Sequence, residues 1–295
     1  MNTRTASALP LLILAIGSAF LFRLWSRPGL LYSAHSDAIA LTAGLGALES
    51  RSISVESRWP LWNPSANSGT PAQADPLAMY SSPTQWLVPF LPLDRAMNLA
   101  VVLNVLLAGL AMFVCARRYL EQPLSAFFCA VAYMLSYRYL AMIDAGWTSA
   151  LSMYALAPLL FWTADRVLER PGPARTASFA LILALSAMQG SAQSFYYALL
   201  GLGCFTAWRA PGFKPAVRIR AAWALAGAGA LALLLAAPDL LPRFQFAALS
   251  SRVLTDYRFF LGRPPDFASL ATFLDPRDAG GTRVEYWENN FYFGL

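Results

Sequence analysis

The sequence predicts an all-α, polytopic helical membrane protein, and three observations carry that prediction. Hydrophobic residues make up 57% of the 295-residue chain and only 13% are charged, where soluble domains run near a quarter. The apolar residues gather into runs approaching the ~20 residues of a membrane-crossing helix, with room for about six to eight of them. The few basic residues collect in alternate short connections, the mark of loops held on the cytoplasmic side. Together these exclude a soluble globular enzyme, a disordered chain and a disulfide scaffold. Cytoplasmic anchoring accounts for the formal net charge of +6, so no nucleic-acid partner is needed to explain it.

The first apolar run, Ala8 to Trp25, follows a short N-terminus containing Arg4. Its length, and the lack of a small-x-small cleavage site, read as a retained span rather than a signal peptide. Six further runs follow at Asn98–Cys115, Leu124–Met142, Ala150–Ala164, Thr176–Met188, Ala192–Trp208 and Ala221–Leu241. The total is about seven spans, some of them short for a ~30 Å core. Interfacial aromatics such as Tyr137, Trp147 and Trp162 can extend them. With the N-terminus inside, three short loops become cytoplasmic. They carry Arg117 and Arg118, then Arg166, Arg170 and Arg175, then Arg209, Lys214, Arg218 and Arg220. The short opposite loops hold Arg138 and little else that is basic. Cys115, Cys129 and Cys204 sit in apolar runs as small buried hydrophobes, with no metal or disulfide spacing.

Thr176 to Trp208 decides the topology. One continuous helix there would be about 50 Å long, too long for the core, and would put the last basic cluster outside. A break at Gln189-Gly190-Ser191 keeps every basic cluster inside. Two long outer segments then frame a single transmembrane domain over 1–295. They are residues 26–97 and residues 242–290, both rich in aromatic residues and therefore packed rather than disordered. The final Phe291-Tyr292-Phe293-Gly294-Leu295 reads like the start of an eighth span, so the chain is expected to be a fragment of a longer protein.

In the first outer segment Ser36 is placed to cap an amphipathic helix whose apolar face is Ala38, Ile39, Leu41, Leu45 and Leu48. Asp37 falls in its first turn. It either complements the helix dipole or stands at the membrane–water boundary to take a proton or hold a cation. His35, the only histidine in the chain, is a polar neighbour with no second metal ligand nearby. Arg58-Trp59-Pro60-Leu61-Trp62-Asn63-Pro64 and Gly69-Thr70-Pro71 follow. Their prolines forbid regular helix, and their tryptophans suit an interfacial wedge.

Asp37, the Pro60-Leu61-Trp62-Asn63-Pro64 segment and Gly69-x-Pro71 together resemble the YfhO-type membrane proteins of the GT-C group of glycosyltransferases. Gln189 through Tyr196 is similar to that family's G-h-x-Q-x-x-x-Y turn, without the usual histidine. Ser250-Ser251-Arg252, and Glu288 with Tyr292 and Gly294, extend the resemblance along nearly the whole chain in order. It implies a GT-C-like fold and a transferase using a polyprenyl-phosphate sugar, with a glycan or lipid acceptor and membrane lipids as its partners. It also implies that Asp37 is the catalytic base.

The leaving lipid phosphate calls for positive charge, best supplied by Arg forks. Arg138, Arg243, Arg252 and Arg258 are the outer-side candidates, Arg252 first among them. Each can equally be an ordinary interfacial arginine. His35 and Glu288 are further candidate substrate contacts. Gln189 and Gln193 either face substrate or satisfy packing at the helix break. Asp144 and Asp239 are outer-rim acids without a motif.

Asp37 with Glu288 could hold a divalent cation, the one cofactor the sequence leaves open. No Asp-x-Asp pair, P-loop or dinucleotide-type glycine run is present, which argues against a cytoplasmic nucleotide-sugar site. The alternatives to a transferase are a transporter or flippase for a lipid-linked substrate and a non-catalytic membrane protein. The expected home is a bacterial inner membrane, with the N-terminus cytoplasmic.

Overall fold

The computed structural model describes residues 3–25, 29, 31–32, 36–66 and 68–249. His35, Arg252, Arg258 and Glu288, and nearly all of the second outer segment, lie outside the described residues. The described chain is a helical bundle: α1 (Thr3–Trp25), α2 (Ala43–Ser54), α3 (Leu93–Ala116), α4 (Pro123–Met134), α5 (Tyr137–Ala145), α6 (Thr148–Glu169), α7 (Pro173–Ala187), α8 (Ala192–Arg209) and α9 (Pro215–Ala247). Three helical stretches are long and apolar enough to cross a membrane: Leu93–Ala116, the α4–α5 pair over Pro123–Ala145, and Pro215–Ala247. The chain is a membrane protein.

Side-chain contacts fix which helix ends lie together. Arg118 at the end of α3 and Arg209 at the end of α8 both meet Asp165 near the end of α6. Arg175 in the first turn of α7 hydrogen-bonds the Arg166 carbonyl. The basic connections therefore share one end of the bundle. At the other end, the residues following α1 bond to α3: Asn98 accepts the Leu31 N–H at 3.0 Å and donates to the Gly29 carbonyl at 2.8 Å. The long helices thus alternate in direction, with α4 and α5 together making one crossing. α3 packs against α1, α4 and α6, and α7 against α9. The core runs through Ile13, Val101, Val105, Ala130, Met134 and Leu151 and continues through Met153, Leu160, Val167 and Ala228.

Two internal prolines leave carbonyls that the tertiary structure captures. Pro158 lacks the N–H that would bond to Tyr154 four residues back, and Tyr133 donates its hydroxyl to that carbonyl at 2.7 Å. Pro242 likewise frees the Pro238 carbonyl, and Gln73 of the segment between α2 and α3 donates to it at 2.9 Å. α9 continues through both of its prolines to Ala247, past the expected end at Leu241.

The structure differs from the expected runs, helix face, cap and cysteine burial at several points. α3 starts at Leu93, directly after Pro92, not at Asn98. The run Leu124–Met142 is not one helix: the backbone turns extended at Ser136 and restarts as α5. The surface helix begins with a π-helical turn, Ala38–Thr42, whose i→i+5 bonding inserts a residue and rotates the helix face. Ile39 and Leu41 consequently point outward, and the buried stripe is Ala38, Thr42, Leu45, Gly46, Glu49 and Ser52. The Ser36 carbonyl accepts from Ile39 and Ala40, but its hydroxyl makes no cap. Finally, Cys129 and Cys204 are exposed on helix faces. The break at residues 188–191 is present, with Gly190 at φ +76°.

The proline-rich segment after α2 folds as a short hairpin rather than a helix. Trp62 and Asn63 pair antiparallel with Pro71 and Thr70. The Trp62 indole covers Gly69, where an added Cβ would stand 2.6 Å from the ring. Trp59 packs edge-on against Tyr80.

Candidate functional site

The bundle end opposite the basic connections holds a cavity of about 590 Å³, within the usual range for small-molecule sites. Asp37, Arg138 and Gln193, three of the residues singled out from the sequence, all line it. Asp37 is exposed to it at the head of the π turn. Trp147, between α5 and α6, donates its indole N–H to Asp37 Oδ2 at 3.1 Å. The same indole lies under the Arg138 guanidinium, 5.6 Å from centroid to Cζ, with the Tyr154 ring at 6.0 Å. One tryptophan therefore separates the anion from the cation and holds both.

Two glycines make this arrangement possible. Gly146 ends α5 at φ +78°, a conformation that favours glycine. A Cβ there would press on the Ala38 backbone N–H and stand 2.7 Å from Ala38 Cβ. The α5–α6 corner thus rests directly on the backbone beside Asp37. Gly190 occupies the α7–α8 break, and a Cβ there would stand 2.6 Å from the Pro76 carbonyl oxygen.

Gln189 does not line the cavity. Buried beneath the segment between α2 and α3, it accepts from the Ser82 hydroxyl at 2.9 Å and donates to the Leu185 carbonyl at 2.6 Å. That leaves it satisfied by packing. Gln193, by contrast, faces the cavity one turn before Tyr197, whose hydroxyl it approaches at 3.4 Å. Arg243 and Asp239 form a buried ion pair at 3.0 Å. Arg243 also donates to the Ala78 carbonyl at 2.6 Å and Ser81 to Asp239 at 3.2 Å, so the pair fastens the segment between α2 and α3 to α9. Neither lines the cavity. Among the described residues no group of three His, Cys, Asp or Glu is placed to hold a metal ion; Glu288, the expected partner of Asp37, is not among them.

Sequence reasoning missed three further features. Trp147 read as a span-extending aromatic, although its place beside a helix-ending glycine was a signal. Glu49 is 1% exposed, and neither of its carboxylate oxygens has a hydrogen-bond partner. Burial pushes its carboxyl up to about 7, and the neighbouring Gln85 amide offsets only part of that. Glu49 in turn helps burial push the Tyr80 phenol upward. Asp165, 0% exposed, gathers Arg118, Arg209 at 3.0 Å and the Tyr119 hydroxyl at 3.1 Å. Burial and then the Asp165 charge push the Tyr119 phenol up to about 12.

Compared with family models, with curated proteins and with solved structures, the chain matches none.

Proposed function

We propose that this protein is a membrane glycosyltransferase of GT-C, YfhO-like type that moves a sugar from a polyprenyl-phosphate donor to an envelope lipid or polymer acceptor. In this reading the chain crosses a bacterial inner membrane about seven times with its N-terminus cytoplasmic, and the reaction takes place on the outer face. The observation that supports it is the convergence of Asp37, Arg138 and Gln193 on one cavity at the end away from the basic loops.

The cavity offers what a sugar needs: aromatic faces in Trp147, Tyr154 and Tyr197, and hydroxyls in Ser149, Ser191 and Ser194. Aromatic walls with a few placed polar groups fix ligand orientation. Asp37 is the general base. With an acceptor hydroxyl within about 3 Å it takes the proton as the oxygen attacks the sugar's anomeric carbon. The bond to the donor phosphate breaks on the opposite face, and the phosphate leaves with the electron pair.

Comparing lipid-linked sugars and envelope glycans between a parent strain and one carrying Asp37→Asn tests this proposal. The expected outcome is loss of transfer with normal insertion and expression; full transfer by that variant overturns the base assignment. Transport draws less support, because the break that would serve it places Gln189 at the same bundle end as Asp37, bonded to Ser82 and Leu185.

A further inference from the structure

The N-terminal turns of α6 and α8 both open into the cavity. The first four amides of any helix lack an intrahelical partner and carry a partial positive charge of roughly half a unit. Such ends are usually closed by a Ser, Thr, Asp or Asn side chain. Neither is closed here. Trp147 precedes α6, and its one side-chain donor is spent on Asp37. Ser191 precedes α8, and its hydroxyl donates to Ser194 Oγ at 2.8 Å. Neither helix has an acid in its first turn.

The Thr148 amide turns back to the Gly146 carbonyl, and the Leu151 and Phe195 amides bond to Trp147 and Ser191. The amides of Ser149, Ala150, Gln193 and Ser194 have no partner among the described residues, and all four residues line the cavity. The two ends are neighbours: a Cβ on Gly190 would stand 3.7 Å from Ser149 Cβ.

Two side chains independently point to a ligand. Thr42 is 7% exposed and lies on the cavity wall, and its hydroxyl has no partner among the described residues. The Arg138 guanidinium lies on the same wall against aromatic faces, with no carboxylate bonded to it among the described residues. Two half-charges, one guanidinium and one Asp37 carboxylate leave a net positive charge of about one. Free amides at a helix N-terminus are a recurrent phosphate-binding arrangement.

We infer that the cavity seats a phosphoryl oxyanion between the N-terminal turns of α6 and α8, with Arg138 and Thr42 completing its donors. The inference rests on taking this cavity as the reaction site, and it assigns the phosphate to backbone amides rather than to an arginine alone. The phosphoryl group can belong to a lipid headgroup or to a free phosphate.

The full chain in nanodiscs, titrated calorimetrically with inorganic phosphate and with geranyl phosphate, tests it. Saturable binding is expected, tighter for geranyl phosphate if the seat serves a lipid headgroup and equal if it serves the free anion. Ser149→Asp and Ser194→Asp each place a carboxylate where the phosphate sits and should weaken binding by at least about tenfold. Neither should lower the melting temperature, because an acid in a first turn favours the helix. Ser149→Ala and Ser194→Ala keep the amides and add no charge, so they should weaken phosphate binding less than the matching aspartate variants. Arg138→Gln should weaken binding, whereas Arg138→Lys should retain part of it.

No saturable binding by the parent, or unchanged binding by both aspartate variants, overturns the inference. Asp37→Asn should not weaken phosphate binding. If the parent binds phosphate but transfers no sugar, the seat stands and the transferase reading falls.

Discussion

Trp147 Nε1 stands 3.1 Å from Asp37 Oδ2, across 110 residues of sequence and between two turns of chain that also pack together at Gly146. The carboxylate is exposed, yet this one bond fixes which oxygen points inward. Trp147→Phe removes the donor and keeps a ring under Arg138. A hydrogen bond to a charged group contributes on the order of 1.5 kcal/mol at its lower end, so transfer should fall about tenfold with little change in melting temperature. Sugar-transfer assays beside thermal unfolding check this. Parent-level transfer by the phenylalanine variant would show that the indole N–H does not position Asp37.

Gly146→Ala should be more damaging to the fold than its size suggests. The residue holds φ +78°, a left-handed conformation that costs a residue with a Cβ about 1 kcal/mol or more. The added methyl would also press on the Ala38 backbone, which cannot move without shifting Asp37. A drop in melting temperature and a loss of transfer are expected together. Gly172→Ala is the control, since a Cβ there meets nothing within 4 Å, and it should change neither.

How much of this was legible in the sequence depends on the range of the signal. Local chemistry read correctly: the 189–191 break follows from helix length, and the clustering of basic loops at one end follows from charge. Asp37, Arg138 and Gln193 were each visible as polar groups in apolar surroundings, but nothing in the sequence said they share a cavity. That convergence depends on the Gly146 and Gly190 corners, which are contacts between distant segments. The surface-helix face was misjudged at Ile39 and Leu41, because one π turn shifts the register and periodicity arguments assume 3.6 residues throughout. Gln189 could be read from its polarity either as facing substrate or as satisfied by packing, and only the three-dimensional structure shows Ser82 and Leu185 satisfying it.

Glu49 makes stability depend on pH in a predictable direction. Its carboxyl is raised from an ordinary 4.5 to about 7 by burial, so the folded chain holds the proton over a range where the unfolded chain has lost it. Stability from this group is therefore full below about pH 4.5, falls as pH rises toward 7, and levels off above it. The total change is on the order of 3 kcal/mol. Glu49→Gln keeps the shape without the charge, so it should raise the melting temperature at pH 8 more than at pH 4.5. Parallel melting curves for parent and variant across that range would argue against a buried, protonated Glu49.

Asp165 holds α8 from the far end of the bundle. Leu202 alone is buried along α8, so its packing is thin, and the bond from Arg209 to Asp165 is its polar tether. The same carboxylate receives Arg118 and the Tyr119 hydroxyl. Asp165→Asn would leave Arg118 with Glu169 at 3.1 Å and Arg209 with no carboxylate partner among the described residues. Removing one partner of a buried ion pair costs about 3–5 kcal/mol. Both arginines are partly exposed, at 20% and 33%, so solvent screening brings the expected cost to the lower end of that range or below. Because α8 carries Gln193 and Tyr197 to the cavity at its other end, loosening the tether should also weaken phosphate binding there. Asp165→Asn with Arg209→Met should recover part of the melting temperature by removing an uncompensated charge. The double variant should leave phosphate binding weak, since the tether is still missing. Recovery of both together would mean that the charge balance, rather than the tether, governs the cavity.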